Sequence, residues 1–504
     1  MRSNAGWGLC FALALAGGAG CGGENELPPR GGGGDAGVPA VPAAGEAGSA
    51  DGRGGSASNA GGSGAVENGG DAGAGGNAGA SGAVEDGGAA EGGAAGAPGG
   101  LVPGDLSRDI LDTTIEFNLS QDIATATITL AGSNSGAVSF EIGDLDIDSV
   151  SSDGEPLRFR DVGSVLNIEV PASSEPTRVT IHYAWYWHEN LDGASAQGFT
   201  LTWPYYCGNL FPCHSDPSDG TRFHVHLSGV PAGPTIVYPT AIESDAPAYM
   251  FAWAIGEYSE LTLGETSAGT SVSMWYKPGG KAAAAAGGAH LVAAFDWLEQ
   301  RLGPYRFGAR VGSVAMPWTG GGMEHHPFWH VAETSMSDEA VQMHEAAHGW
   351  FGDGVRLKCW EDLVLSEGTA TYLAARMVEG VVGTTQSDSV WQGYQAELDG
   401  FRKPGANHQA WPQSCGVVDV LKGDVFSRSP YIKGAFFYRG VEQRVGREPL
   451  DQALRTFYER FAGHDAGMQE MLDVIAEVTG YDPAPCAESW LIDAASVPNP
   501  AACP

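Results

Sequence analysis

Four residues carry the chemistry that can be read first: His344, Glu345, His348 and, after eighteen intervening residues, Glu367. Histidines at i and i+4 share one face of a helix, about 5–6 Å apart at Cβ, so both imidazoles can reach one metal ion. Glu345 stands beside the first histidine but outside the ligand set, where a carboxylate takes a proton from the attacking water. Glu367, from a later helix, supplies a third ligand and leaves a fourth position open, which separates a catalytic zinc site from a structural one. The pattern implies hydrolysis with one Zn(2+) per chain.

The elements that must position these residues are legible around them. Ser337-Asp338-Glu339 offers a capping side chain and then an acid, so a helix starts there; Val341, Ala347, Trp350 and Phe351 give it apolar faces, and Gly349 and Gly352 mark its end. Upstream, Arg310 to Met316 reads as a strand leading into the glycine-rich loop Gly320-Gly321-Gly322-Met323-Glu324. Glycines there let a substrate backbone come close, and a carboxylate beside them can bind a free amino terminus. The bare alternative for Glu324 is a solvated acid in a turn. His325, His326 and His330 crowd the same loop and read as pocket-wall or surface residues, because three ligands are already assigned. Tyr431 opens another helix, where its hydroxyl can serve an oxyanion or merely pack.

Further out, residues 105–280 alternate in the strand period, as in Thr113–Leu119, Ala124–Leu130, Val165–Val170 and Arg178–Tyr183, with turn clusters between them. This reads as a β-sandwich domain. From Lys281 onward the texture is mainly helical, with Ala282–Leu302, Ala370–Val378, Gly434–Val445 and Met468–Val478 the clearest stretches. The fold class is therefore multidomain α and β, a β-sandwich at 105–280 followed by a mainly helical domain at 281–504.

Before both domains lie a secretory signal at residues 1–20 and a Gly/Ala-rich tether at 21–104, which has almost nothing to bury and reads as disordered. Ala19-Gly20-Cys21 resembles a bacterial lipobox. That implies an exported protein attached to the bacterial envelope, expected at the outer membrane, through a lipidated Cys21, or a secreted one if Cys21 is not lipidated. Acids outnumber bases 61 to 26, for a net charge of −35, which argues against a nucleic-acid partner. Beyond Cys21 stand Cys207, Cys213, Cys359, Cys415, Cys486 and Cys503, an even set that reads as disulfides in an exported chain. Fifteen pairings are open; local spacing favours Cys207–Cys213 and Cys486–Cys503, leaving Cys359–Cys415.

Taken together, these motifs resemble the gluzincin aminopeptidase family that includes aminopeptidase N and the bifunctional leukotriene hydrolase. The family's Gly-x-Met-Glu-Asn is matched by Gly321-Gly322-Met323-Glu324, with His325 in place of asparagine. His344 to His348 is followed by Trp350-Phe351-Gly352, with Asp353 for asparagine. Trp360-Glu361-Asp362-Leu363, Glu367-Gly368 preceded by Ser366, and Tyr431-Ile432-Lys433-Gly434 match three further segments. Phe211-Pro212-Cys213 and Tyr249–Tyr258 add to the resemblance in the β domain.

The resemblance implies a thermolysin-like zinc peptidase domain after the β domain, and peptides as substrates. Glu345 would be the proton carrier, Tyr431 the oxyanion donor, and Glu324, with Gly321, Gly322 and Met323, the substrate-binding loop. Where the family places Gln or Glu, about ten residues before Cys213, stands Trp203, whose indole cannot accept a hydrogen bond. Either Glu324 holds the substrate's amino group alone, or the preference for chain ends is relaxed. The alternatives are an endopeptidase of the same chemistry and an inactive peptide-binding module.

Overall fold

The computed structural model describes residue 102 and residues 104–401, 408–420, 427–493 and 503. The signal, Cys21 and the tether up to residue 101 lie outside the described residues. Among those described, seven strands form one sheet in the order Ala241–Pro247, Gly220–Ser228, Ile110–Asn118, Ile123–Leu130, Thr177–Ala184, Asp146–Ser152 and Glu155–Pro156. The alternating residues face inward as their period requires: Ile115 pairs with Ala126 and Phe117 with Ala124, and all four are buried. A smaller sheet of Ala137–Glu141, Val165–Glu169 and Phe159–Val162 contributes Phe140, Leu166 and Ile168 to the same apolar core. A sandwich results.

Within the span read as sandwich, residues 105–280, the last two strands pair outside the sandwich sheets. Ser259–Glu265 and Ser271–Tyr276 join Arg310–Met316, Phe328–Ala332 and Gly322–Met323 in a sheet that includes the glycine-rich loop. Val272 and Met274 pack in the core of the metal helix, not in the sandwich core. Local alternation shows that a segment is a strand but not which sheet it enters. In this sheet Gly322–Met323 is the outermost described strand, antiparallel to Phe328–Ala332 with Met323 opposite His330.

The helices named below are α1 (Lys281–Gly287), α2 (Leu291–Leu302), α3 (Glu339–Ala347), α4 (Thr369–Met377), α5 (Thr384–Gly400), α6 (Ser429–Val445), α7 (Arg447–Phe461) and α8 (Met468–Thr479). The stretch read as one helix, 282–302, is two. A Cβ at Gly287 would lie 2.0 Å from the carbonyl oxygen of Met336, and one at Gly288 would lie 2.6 Å from Sδ of Met274. Glycine at both positions is what lets Met336 and Met274 come this close where the two helices meet. Helix α3 starts where expected: Asp338 accepts from the amides of Ala340 and Val341 at 2.9 and 3.3 Å. It is buried along its whole length from Ala340, as a helix in the middle of a core must be.

All three disulfides are formed as local spacing favoured: Cys207–Cys213, Cys359–Cys415 and Cys486–Cys503. Among the described residues no helix is long and apolar enough to cross a membrane.

Candidate active site

Two helical segments and one strand edge converge on the buried end of α3. His344 and His348 present Nε2 atoms 3.1 Å apart, and Oε2 of Glu367 lies 3.1 Å from the first and 3.5 Å from the second. A tetrahedral zinc with bonds of about 2.0–2.1 Å has ligand–ligand edges of roughly 3.3–3.4 Å, so these three atoms match one face of such a centre. Their second contacts suit the role. Nδ1 of His348 lies 3.1 Å from the carbonyl oxygen of Phe351, an acceptor that fixes the ring's proton on that side, and 3.1 Å from the Ser366 hydroxyl.

The electrostatics also favour a cation. Burial opposes charge on His348, yet the Glu367 carboxylate, helped by Glu324 and Glu345, lifts its pKa to about 10. His344, dominated by burial, falls to about 4. A divalent ion supplies the positive charge these carboxylates demand while leaving both rings neutral with free lone pairs. The donor set therefore fits zinc.

Glu367 does not open a regular helix as its motif suggests. It sits in a π turn, Val364–Gly368, that runs into α4, a widened geometry often found at functional sites. Gly368 then meets Gly434 of α6: a Cβ on Gly434 would lie 2.6 Å from Cα of Gly368, and one on Gly368 would lie 2.8 Å from Cα of Gly434. This glycine-on-glycine crossing is what lets the Tyr431 hydroxyl donate to Oε1 of Glu367 at 2.7 Å. Arg428, held by Glu397 at 3.1 Å, stacks its guanidinium 4.3 Å from the Tyr431 ring.

On the other side, carboxylate oxygens of Glu324 and Glu345 and a ring nitrogen of His348 all lie within 4.8 Å of one another. Burial pushes Glu324 up to about 7, against the pull of His348, and pushes Glu345 well above the usual carboxylate range. Gly322 makes this possible: a Cβ there would stand 2.5 Å from Cδ and Oε1 of Glu345. The residues singled out for chemistry are thus brought together at one place.

Other expectations change. His325, His326 and His330 are neither surface nor open wall, being 2%, 0% and 1% exposed. His325 bonds the carbonyl of Tyr249 through Nδ1 at 2.9 Å, and His326 contacts α3 directly. Backbone carbonyls hold the first two inward, while His330 packs against the rings of His325 and Trp318 at 4.9 and 6.2 Å. Trp203 is buried with its ring edge-on to Trp360 at 5.9 Å, so it packs the segment leading to Glu367. Asp353 is fully buried, neither carboxyl oxygen has a hydrogen-bond partner among the described residues, and burial with Glu324 nearby pushes its pKa well above the ordinary range. Sequence reasoning missed Ser366 as a partner of His348, Arg428 over Tyr431, and Tyr305, which contacts His326 from 21 residues away. No local pattern marks them.

Residues 325–490 match the peptidase family M1 domain. It is 25% identical over 356 residues to leucine aminopeptidase 2 of Neurospora crassa, covering 62% of this chain and 52% of that protein. A leukotriene A-4 hydrolase homolog of Botryotinia fuckeliana is 24% identical over 415 residues, covering 69% and 61%. The chain spans about half the length of the Neurospora relative. Among solved structures it resembles an M1 zinc metallopeptidase from Deinococcus radiodurans, with TM-score 0.67, 19% identity, and coverage of 78% of this chain and 96% of that one. Leukotriene A4 hydrolase from Saccharomyces cerevisiae gives TM-score 0.64 and 19% identity, covering 78% and 69%. At these identities the likeness establishes the fold: a β-rich region followed by a mainly helical one.

Proposed function

We propose that this chain, with its peptidase family M1 domain at residues 325–490, is a zinc-dependent peptidase that removes residues from the amino terminus of peptides. The observation that carries the reading is Glu324, buried and within 4.8 Å of Glu345 and His348. A carboxylate so close to the scissile position suits a free ammonium group there. His344, His348 and Glu367 would hold the ion, which supplies a Lewis acid for the carbonyl and lowers the pKa of water. Glu345 takes a proton from the attacking water and delivers it to the departing amine.

Tyr431 donates its hydroxyl to the oxyanion of the tetrahedral intermediate. Burial, with Glu367 beside it, pushes its pKa well above the usual tyrosine range, so it stays a donor. Gly322 and Met323 form the outermost described strand, with Gly321 just before it, and its open side can pair with substrate backbone.

An endopeptidase of the same chemistry is the second reading, favoured by Trp203. Its buried indole offers no acceptor to an amino group. One fluorogenic peptide, compared with a free and an acetylated amino terminus, separates the two. Faster cleavage of the free form by tenfold or more supports the aminopeptidase; equal rates refute it. We further propose lipid attachment at Cys21 from the sequence alone, read as fatty-acid labelling of the wild type that Cys21→Ser loses.

A further inference from the structure

His326 is wholly buried, two residues after the amino-group anchor. Its Nε2 lies 2.8 Å from the backbone carbonyl oxygen of Glu345, and its Nδ1 lies 2.9 Å from the Tyr305 hydroxyl. The carbonyl is an orphan of the helix end. In a continuing helix it would accept from the amide of Gly349, but that amide turns to Ala346 at 3.3 Å.

The direction of both bonds follows from the partners. A carbonyl only accepts, so Nε2 carries the proton. Burial disfavours the charged ring and lowers its pKa to about 3, so Nδ1 is bare and accepts from Tyr305. A relay thus runs from the Tyr305 O–H through the imidazole to the Glu345 carbonyl. Gly349 is shaped to admit it: a Cβ there would stand 2.8 Å from Cε2 of Tyr305 and 3.0 Å from Cε1 of His326. The loop between anchor and relay is taut, with the His326 amide bonded to the carbonyl of Glu324 at 2.7 Å.

We infer that His326 is a positioning residue, which pins the loop bearing Glu324 to the helix residue bearing the Glu345 carboxylate and so sets the distance between the amino-group anchor and the proton carrier. Through that distance it governs selectivity for chain ends. The inference rests on the aminopeptidase reading. Its substrate is the same free amino terminus, and Tyr305 holds the tautomer that makes the ring a donor.

The test uses the full chain with zinc content measured, and reads kcat and KM on the free and the acetylated peptide. Loss of an outer hydrogen-bond partner of such a site typically costs about 10–100-fold. His326→Leu is expected to keep one zinc per chain but to lose about tenfold or more in kcat, and about tenfold in the free-to-acetylated ratio. His326→Gln, whose amide can donate to the carbonyl and accept from Tyr305, is expected to restore both to within about threefold of wild type. Tyr305→Phe keeps the ring and removes the donor, and should lower the ratio by about threefold or more.

A zinc-loaded His326→Leu with wild-type kcat and ratio overturns the inference, as does a Gln variant no better than Leu. If His326→Leu fails to fold, Tyr305→Phe decides: an unchanged ratio overturns the inference and a lowered one supports it. If wild type itself cleaves both peptides equally, the aminopeptidase reading falls, and kcat of the same variants still judges the relay.

Discussion

Gly322→Ala should disable the proton carrier without touching the metal. The added Cβ would stand 2.5 Å from Cδ and Oε1 of Glu345 and 2.7 Å from its Cγ. Carbon contacts settle at about 3.5–4.0 Å, so the carboxylate must withdraw by about 1 Å. Gly322 is not among the residues with positive φ, unlike Gly320 and Gly321, so alanine suits its backbone and the obstacle is a side chain that can swing. Folding should therefore survive and His344, His348 and Glu367 should still bind zinc.

A misplacement of about 1 Å in a reacting group can cost roughly 10²-fold, equivalent to about 2.7 kcal/mol in the barrier. The assay is kcat/KM on an aminoacyl fluorogenic substrate, with zinc stoichiometry and thermal melting on the same preparation. A zinc-loaded, folded variant with kcat/KM within threefold of wild type would refute the reasoning. It would mean either that Glu345 is not the proton carrier or that the strand edge yields instead of the carboxylate.

Tyr431→Phe keeps the ring stacked near His344, 6.0 Å between centroids, and removes the hydroxyl. Turnover should fall about 10²–10³-fold with zinc content and melting nearly unchanged. Gly434→Ala sets a methyl 2.6 Å from Cα of Gly368; backbone cannot yield as a side chain does, so α4 and α6 must part. A loss of about 1–3 kcal/mol in a denaturant melt, together with a fall in kcat, is expected. Lys433 donates to the carbonyls of His408 and Asp493 at 2.9 and 2.8 Å, and burial lowers its pKa to about 8. Because the unfolded lysine keeps its proton to about pH 10.4, the unfolded chain binds more protons between about pH 8 and 10.4, and this lysine makes stability rise with pH there. Urea melts at pH 7.5 and 10 should show the wild type gaining up to about 3 kcal/mol relative to Lys433→Met; parallel changes would contradict it.

The ligand set was readable because helical spacing is local: i, i+4 histidines must share a face, and Asp338 had to cap the helix that carries them. Alternation likewise placed the strands of the sandwich, whose observed spans differ from the expected ones by a few residues at most. The even cysteines favoured the pairing now seen because short loops close most readily. Segments failed where a distant neighbour intervened. The break at Gly287–Gly288 comes where Met336 and Met274 pack against the glycines, and the joining of residues 259–276 to the metal-helix sheet follows from pairing with Arg310–Met316.

By itself, then, the sequence determined which residues could hold zinc, which acid stood free beside them, and which chemistry that donor set permits. Those facts depend on residue type and on spacings of a few residues. Only the tertiary structure decided distances between segments: that Gly368 and Gly434 touch, that Gly322 makes space for Glu345, and that His326 turns inward to a helix-end carbonyl. Each depends on atoms tens of residues apart coming within a few ångströms, and packing sets such approaches where local periodicity has no information.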